Sequence, residues 1–386
     1  MISKFLSHKN KIFILILFLF SITVNQHYGN QGVFPKDSFH YFDSGYRVLN
    51  GDLPFIDYWS VRGPLLDYMQ AVFFYIFGVN WQSYVLHASS INVLITISTF
   101  FVLKNFKLKT IYCFFYSLLF AILAYPSSGT PFADQHSAFF SLLGIYSLLL
   151  AINNQRKLYW ALIPVFLGFA FLSKQVPASY VILSISFIII LYSFINNKFD
   201  CIKYPLISSV FFVLFVLIFG KFQGITFSSF LDQYIFYPQT VGAERIKNFN
   251  FTFSGVIGHF KFIYFAIIPL LYENLKKIFS NKNYIKHNNF YIFLILLSLT
   301  FSLILHQLLT KNQTFIFFLI PILTAFSQIS LTDSTLKFKK PICLIIVLIC
   351  LFATFKYHLR YNENRKFHEL KNVNFELAVD AQKIHK

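Results

Sequence analysis

Only 15 of the 386 residues are Asp or Glu, and five of these carboxylates fall between Phe34 and Tyr68. They are Asp37, Asp43, Asp52, Asp57 and Asp67, interleaved with Lys36, Arg47 and Arg62. A positioned carboxylate can accept the proton of an attacking hydroxyl or stabilise developing positive charge. Asp37 is the first candidate for such work. It follows the first apolar segment by a short connector and opens an amphipathic stretch, which places it near a bilayer surface where a lipid-borne substrate would be met. His40 stands at (i, i+3) from it and would share its face on a helix. Asp57 is a further candidate in the same loop.

Farther along, Asp134 stands at the start of one apolar segment and Lys174 at the end of another. An ionic group at that depth is costly and implies a partner or a pathway. Arg62, Arg245 and Lys247 are the remaining cations of interest. The plainer alternatives are solvated loop carboxylates and a lysine that snorkels to the interface. His136 and His306 have no spaced His, Asp or Glu cluster around them, so no metal is expected. No Gly-rich phosphate cradle is present, so neither a nucleotide substrate nor any cofactor is expected.

These residues are carried by a chain that is 56% hydrophobic and 12% charged, against about 25% charged residues in a soluble domain. That balance excludes a disordered, fibrous or nucleic-acid-binding protein and an ordinary soluble enzyme. Apolar runs near bilayer-spanning length recur. They predict membrane helices near 11–25, 83–103, 110–125, 136–152, 158–173, 176–195, 205–220, 262–275, 290–306, 314–331 and 341–356. Leu65–Phe77 is too short to span comfortably and is placed along the outer surface or as a re-entrant piece. Within 38–50, Phe39, Phe42, Tyr46 and Leu49 recur at helical spacing. That predicts an interfacial helix with its aromatic face in the lipid boundary. The expected organisation is a membrane domain over 1–356, its first outer loop (26–82) catalytic, and a polar extracytoplasmic tail over 357–386.

Basic residues set the orientation. The segments between spans alternate, and one set carries Lys104, Lys107 and Lys109, then Arg156 and Lys157, then Lys198 and Lys203. Lys276, Lys277, Lys282 and Lys286 follow, then Lys337, Lys339 and Lys340. Asp200, Glu273 and Asp333 are the acids of that set. Short basic loops mark the cytoplasmic side, so the N-terminus is expected in the cytoplasm. The net charge of +18 is then chiefly a topological label, while the acids gather outside. Cys113, Cys201, Cys343 and Cys350 lie in apolar runs or an inner loop, so no disulfide framework is implied.

The ordered motifs resemble a membrane glycosyltransferase class. Asp37 after an N-terminal span, an aromatic helix, Gly51-Asp52, Asp57-Tyr58-Trp59 and Arg62-Gly63-Pro64-Leu65 are similar to the first outer loop of the GT-C enzymes that use polyprenyl-phosphate sugars. These include protein O-mannosyltransferases, lipid A aminoarabinose transferases and relatives acting on lipopolysaccharide. Thr130-Pro131-Phe132-Ala133-Asp134-Gln135 resembles the family's second outer acidic site. Gly168 to Gln175 resembles its Gly-x-x-x-Leu-Ser/Thr-Lys element, and Thr314 to Phe326 its late span. The family's usual Glu after the first Asp is Ser38 here.

The resemblance implies an all-α polytopic membrane protein, a GT-C-like bundle of about 11 transmembrane helices with interfacial helices in the first outer loop. It implies transfer, with inversion, from a polyprenyl-phosphate sugar to a glycan, lipid or protein acceptor at the outer face of the cytoplasmic membrane. Asp37 and Asp134 would be the catalytic acids, with Lys174, Arg62, Arg245 and Lys247 on the donor phosphate. The competing classes are a polymerase or ligase of lipid-linked glycans, which should show paired Arg residues in a late loop, and a transporter or flippase. The latter should show mid-span ionisable residues or a repeated half.

Overall fold

The computed structural model describes residues 8–32, 39–126, 129–249, 251–311, 315–332, 334–363, 374 and 376. The described residues form an all-helical bundle. Each expected span has a helix: α1 His8–Gln31, α4 Trp81–Asn105, α5 Thr110–Ala124, α6 Ala133–Asn154, α7 Lys157–Ser173, α8 Gln175–Asn196 and α9 Asp200–Phe222, then α12 His259–Ser280, α13 Asn288–Thr310, α14 Leu319–Thr332 and α15 Lys339–Glu363. Among the described residues, 8 helices are long and apolar enough to cross a membrane, while α5, α7 and α14 are apolar but shorter. The first-loop helices are α2 (His40–Leu49) and α3 (Leu65–Phe77). The long connection after α9 holds α10 (Phe227–Leu231), a π-helical turn and α11 (Tyr237–Lys247).

Burial sorts the helices into centre and rim. α6 is buried along nearly its whole length, packed against α7, α8 and α4. At the other extreme, α9 turns Leu206, Phe211, Phe215 and Phe222 outward. A helix apolar on its outer face suits lipid, because its backbone polar groups are satisfied within the helix.

Side-chain contacts separate the connections into two ends. At one end Asn154 donates to Asn105 (3.2 Å), Lys198 to Gln155 (3.3 Å), Asn288 to the Ile152 carbonyl (3.1 Å) and Lys276 to Thr335 (3.2 Å). At the other, Asn25 donates to the Gly129 carbonyl (2.8 Å), Trp81 to the Gly29 carbonyl (2.9 Å), and Tyr28 pairs with His358 (2.6 Å). The first end carries the basic loops. The alternation read from charge is therefore the alternation of the folded bundle, and Leu65–Phe77 does not invert it.

Two expectations need correcting. The aromatic face of α2 meets protein rather than lipid: Phe42 packs edge-on against Phe74 (4.8 Å between ring centroids) and Tyr84 (5.4 Å). The reason is that α3 folds back beneath α2 and packs Leu66 and Phe74 against it. The last span also runs on past 356 to Glu363 without a break, because Tyr357 stacks on Phe317 at 3.7 Å and Tyr361 is buried.

Asp67 explains how an acid sits inside the apolar α3. It is buried, accepting from the Ser44 hydroxyl of α2 (2.6 Å) and from the Tyr58 hydroxyl (2.8 Å). Burial pushes its carboxyl up to about 6, against the opposing pull of those two hydrogen bonds. A raised folded-state value means that the fold holds the proton more tightly than the unfolded chain does. Stability from this group is therefore fully present in acid and is lost as pH rises from roughly 4, the unfolded carboxylate value, through about 6. Asp67→Asn should flatten the dependence of the thermal midpoint on pH across that window, measured by scanning fluorimetry in detergent. An unchanged slope would show that Asp67 is not its source.

Candidate functional site

The site forms where α7 stops and α8 begins. Ser173 ends the first helix, and Lys174 takes an extended conformation (φ −161°, ψ 137°), as does Val176 (φ −123°, ψ 128°). Pro177 reinforces the interruption, since the residue before proline avoids the helical region. This break points Lys174 across to the start of α6. There its Nζ lies 2.7 Å from Oδ2 of Asp134, while Nε2 of His306, from the end of α13, lies 2.6 Å from Oδ1. Asp134 and His306 are almost fully buried and the Lys174 side chain is 26% exposed. Both carboxylate oxygens are thus occupied, and Asp134 holds the other two side chains in place. Because Nε2 of His306 donates to the carboxylate, a neutral ring leaves Nδ1 bare, and Nδ1 is buried without a hydrogen-bond partner.

The first loop is clamped onto the same break. The Gly63 amide donates to the Ser173 carbonyl at 3.2 Å, and a Cβ on Gly63 would fall on the Leu172 carbonyl. Only glycine permits this approach, and it seats Arg62 beside the break. The Arg62 guanidinium lies over the Tyr41 ring, 5.1 Å from its centroid. Gln175 completes the joint, donating to the carbonyls of Val61 (3.0 Å) and Tyr234 (2.6 Å). The long connection after α9 covers the arrangement. Gln233 accepts from the Ser60 amide (2.9 Å) and donates to the Phe55 carbonyl (3.0 Å), and the Tyr234 hydroxyl donates to the Phe171 carbonyl.

Two cavities flank the clamp. One, of about 890 Å³, is lined by Arg62, Lys174, Arg245, Lys311, Asp134 and His306, with aromatic walls from Tyr41, Phe132, Tyr180 and Tyr237. The other, of about 550 Å³, is walled mainly by Phe55, Leu65, Phe169, Leu172, Phe212, Phe215 and Phe230. Arg62 and Phe171 face the first, whereas Pro64, Leu65 and Leu172 face the second. A cation-rich chamber therefore adjoins an apolar one across a single backbone contact, at the end of the bundle opposite the basic loops.

The structure brings Asp134, Lys174, Arg62 and Arg245 to one chamber. Lys247 is exposed on α11 and is not part of the lining. His40 is exposed on α2, and Asp57 is exposed in a turn where Oδ2 accepts from the Leu53 amide at 2.7 Å; neither lines the chamber. Asp37 lies outside the described residues. Sequence reading weighed His306 only as a metal ligand, and it overlooked Tyr41 and Gln175 as parts of the chamber. The available signal for His306 was the polar His306-Gln307 pair inside an apolar span; its partner is 172 residues away.

Comparison with known proteins agrees with this architecture. Residues 61–220, which hold Arg62, Asp134 and Lys174, match the family model for dolichyl-phosphate-mannose-protein mannosyltransferase. No curated protein matches the sequence. The fold is similar to the crystal structure of the Archaeoglobus fulgidus oligosaccharyltransferase in complex with Zn and sulfate, with a TM-score of 0.59 at 13% identity. That likeness covers 96% of this chain and 56% of the oligosaccharyltransferase, so the chain spans little more than half the length of that protein. The chain has an all-helical, GT-C-like membrane fold.

Removing one partner of a buried ion pair costs about 3–5 kcal/mol, and the partial exposure of Lys174 argues for the lower end. Lys174→Met should therefore lower the thermal midpoint by several degrees. Adding Asp134→Asn should cost less than the sum of the single changes, because the uncompensated charge is gone. Strict additivity in this cycle would show that the two groups do not interact.

Proposed function

We propose that the protein transfers a sugar from a polyprenyl-phosphate donor to a hydroxyl of a cell-envelope glycan, lipid or protein acceptor, with inversion at the anomeric carbon. The observation that carries this reading is the pair of cavities meeting at the Arg62-Gly63-Pro64 clamp. A donor of this class has an apolar chain, an anionic phosphate and a sugar in series. The Phe-lined cavity suits the chain, the cations at the clamp suit the phosphate, and the aromatic walls beyond suit a sugar ring. The match to the mannosyltransferase family over 61–220 supports the same class.

In this mechanism the acceptor hydroxyl attacks the anomeric carbon from the face opposite the phosphate. The bond from that carbon to the phosphate oxygen breaks, and its electron pair leaves with the phosphate. Charge thus grows on the phosphate oxygens as the bond lengthens, and fixed cations aimed at that position stabilise the transition state more than the ground state. Arg62 and Lys174 take this role, with Arg245 from the covering segment. Lys174 is held for it by Asp134. The acceptor proton passes to Asp37, as the first-loop motif implies, and carboxylates nearby offset the oxocarbenium-like charge on the sugar. Because basic loops mark the cytoplasmic side, the chamber faces the outer side of the cytoplasmic membrane and the N-terminus faces inward.

The test is reconstitution of the purified chain in lipid with polyprenyl-phosphate sugars, following polyprenyl phosphate release and glycosylated product. Asp37→Asn should reduce kcat by about 10²–10⁴-fold, the usual contribution of a positioned general base. Counterflow of the lipid-linked sugar without covalent transfer would replace the enzyme reading with a flippase. The groove is tested separately at Gly220, which lines the apolar cavity and has open space where a Cβ would stand. Gly220→Phe should raise KM about tenfold for a long-chain donor and leave a short-chain donor unaffected. Equal effects on both donors would place the chain elsewhere.

A further inference from the structure

Two buried histidines lie behind the Asp134 cluster, and the mechanism above uses neither. His87 on α4 and His136 on α6 are both fully buried. Their Nε2 atoms are 3.2 Å apart, with ring centroids 4.9 Å apart and edge-on. Nδ1 of His136 lies 3.0 Å from the carbonyl oxygen of Phe132, the residue that caps α6, and 3.2 Å from the Tyr125 hydroxyl. Nδ1 of His87 lies 3.0 Å from the side-chain amide of Gln70 on α3, and Phe73 stacks on its ring at 5.0 Å.

The donors and acceptors allow two neutral chains. In one, the Tyr125 hydroxyl donates to Nδ1 of His136, Nε2 of His136 to Nε2 of His87, and Nδ1 of His87 to Oε1 of Gln70. That chain sets a bare Nδ1 of His136 against the Phe132 carbonyl oxygen at 3.0 Å, the nearer of its two partners. A carbonyl oxygen only accepts, so the chain we favour has His136 donating from Nδ1, and a neutral ring then leaves its Nε2 bare. His87 must supply the N–H between the rings, which leaves its own Nδ1 bare. Gln70 presents Oε1 there while its Nε2 has no partner. A half-turn of the amide, whose oxygen and nitrogen are isosteric, brings an N–H to the bare nitrogen. A doubly protonated His87 would instead bury a cation with no carboxylate hydrogen-bonded to either ring among the described residues, which is strongly unfavourable. The result is one unidirectional chain of hydrogen bonds from Gln70 through His87 and His136 to the Phe132 carbonyl.

We propose that His87 and His136 are positioning residues that set the separation between the two walls of the chamber. The chain of bonds begins on α3, the helix that leaves the Arg62-Gly63-Pro64 clamp. It ends at Phe132, two residues before Asp134. Apolar side chains could fill the same volume, but they would fix no distance, because only the hydrogen bond is directional. Displacement of a catalytic group by about 1 Å can lower a rate about 10²-fold, so a tie between the walls acts on turnover more than on binding. The inference rests on the proposed function for its rate measurement and on the structure alone for its proton assignment.

The experiment uses the full-length protein in lipid nanodiscs. His87→Leu should lower kcat by at least tenfold with donor KM within about threefold of wild type, and His87→Gln, whose amide N–H reaches toward His136, should recover most of the loss. His136→Asn keeps a donor for the Phe132 carbonyl while shortening the reach to His87; it should fold with a near-native thermal midpoint and still lose turnover. Wild-type kcat in His87→Leu would overturn the proposal, as would equal losses in the Leu and Gln variants. Nitrogen-15 NMR of labelled histidines decides the tie without any activity. It should show both rings neutral, the proton of His136 on Nδ1 and that of His87 on Nε2. An imidazolium, or the opposite tautomers, would refute the chain of bonds. Absence of sugar transfer in the wild type would sink the functional reading and leave the NMR outcome to stand on its own.

Discussion

The burial of one carboxylate organises this end of the bundle. Asp134 stands at the first turn of the most buried helix, where an unpaired charge would be prohibitively unfavourable, and it is compensated from two directions. Lys174 reaches it only because the helix carrying it stops one residue earlier, and His306 only because α13 ends at the same level. Three helices far apart in sequence are thereby brought to a common height. The chamber is the space left above them once their ends meet.

The first loop answers to the same constraint from the other side. Gly63 lets the backbone touch the end of α7, which seats Arg62 on the chamber and Pro64 on the apolar cavity within three residues. Asp67 follows the same rule as Asp134: a carboxyl inside an apolar helix is tolerated because Ser44 and Tyr58 supply donors. The loop is therefore a packed part of the structure. Phe39, Phe42 and Phe74 are taken up by contacts among α2, α3 and α4, while Trp59, Tyr75 and Phe77 stay exposed.

The covering segment after α9 is built differently. Its near part is held by hydrogen bonds through Gln233, Tyr234 and Gln175 and by aromatic contacts of Phe230 and Tyr234 with Phe55 and Phe171. Beyond it, α11 buries none of its residues, and few buried apolar contacts imply low local stability there. The chamber thus combines a rigid floor of buried charges with a cover anchored at one end. That division suits a site that must admit a lipid-linked substrate and a separate acceptor.

The positions of the apolar helices and the basic end of the bundle were legible in the residues, because hydropathy and loop charge are local properties that a bilayer reads one segment at a time; of the eleven helices expected to span, 8 are long and apolar enough to cross a membrane. Lys174, Asp134 and Arg62 could be singled out for the same reason, as charges set where charges are costly. Their meeting was not legible. The pairing of Asp134 with His306, the seat that Gly63 finds on Leu172 and the link from Gln70 to Phe132 through two imidazoles all join residues distant in sequence, whose proximity depends on how whole helices pack. A histidine in an apolar run looks the same whether it binds a metal, fills a core or holds a carboxylate. Only the tertiary structure decides, because only packing sets which donor lies within 3 Å of which acceptor.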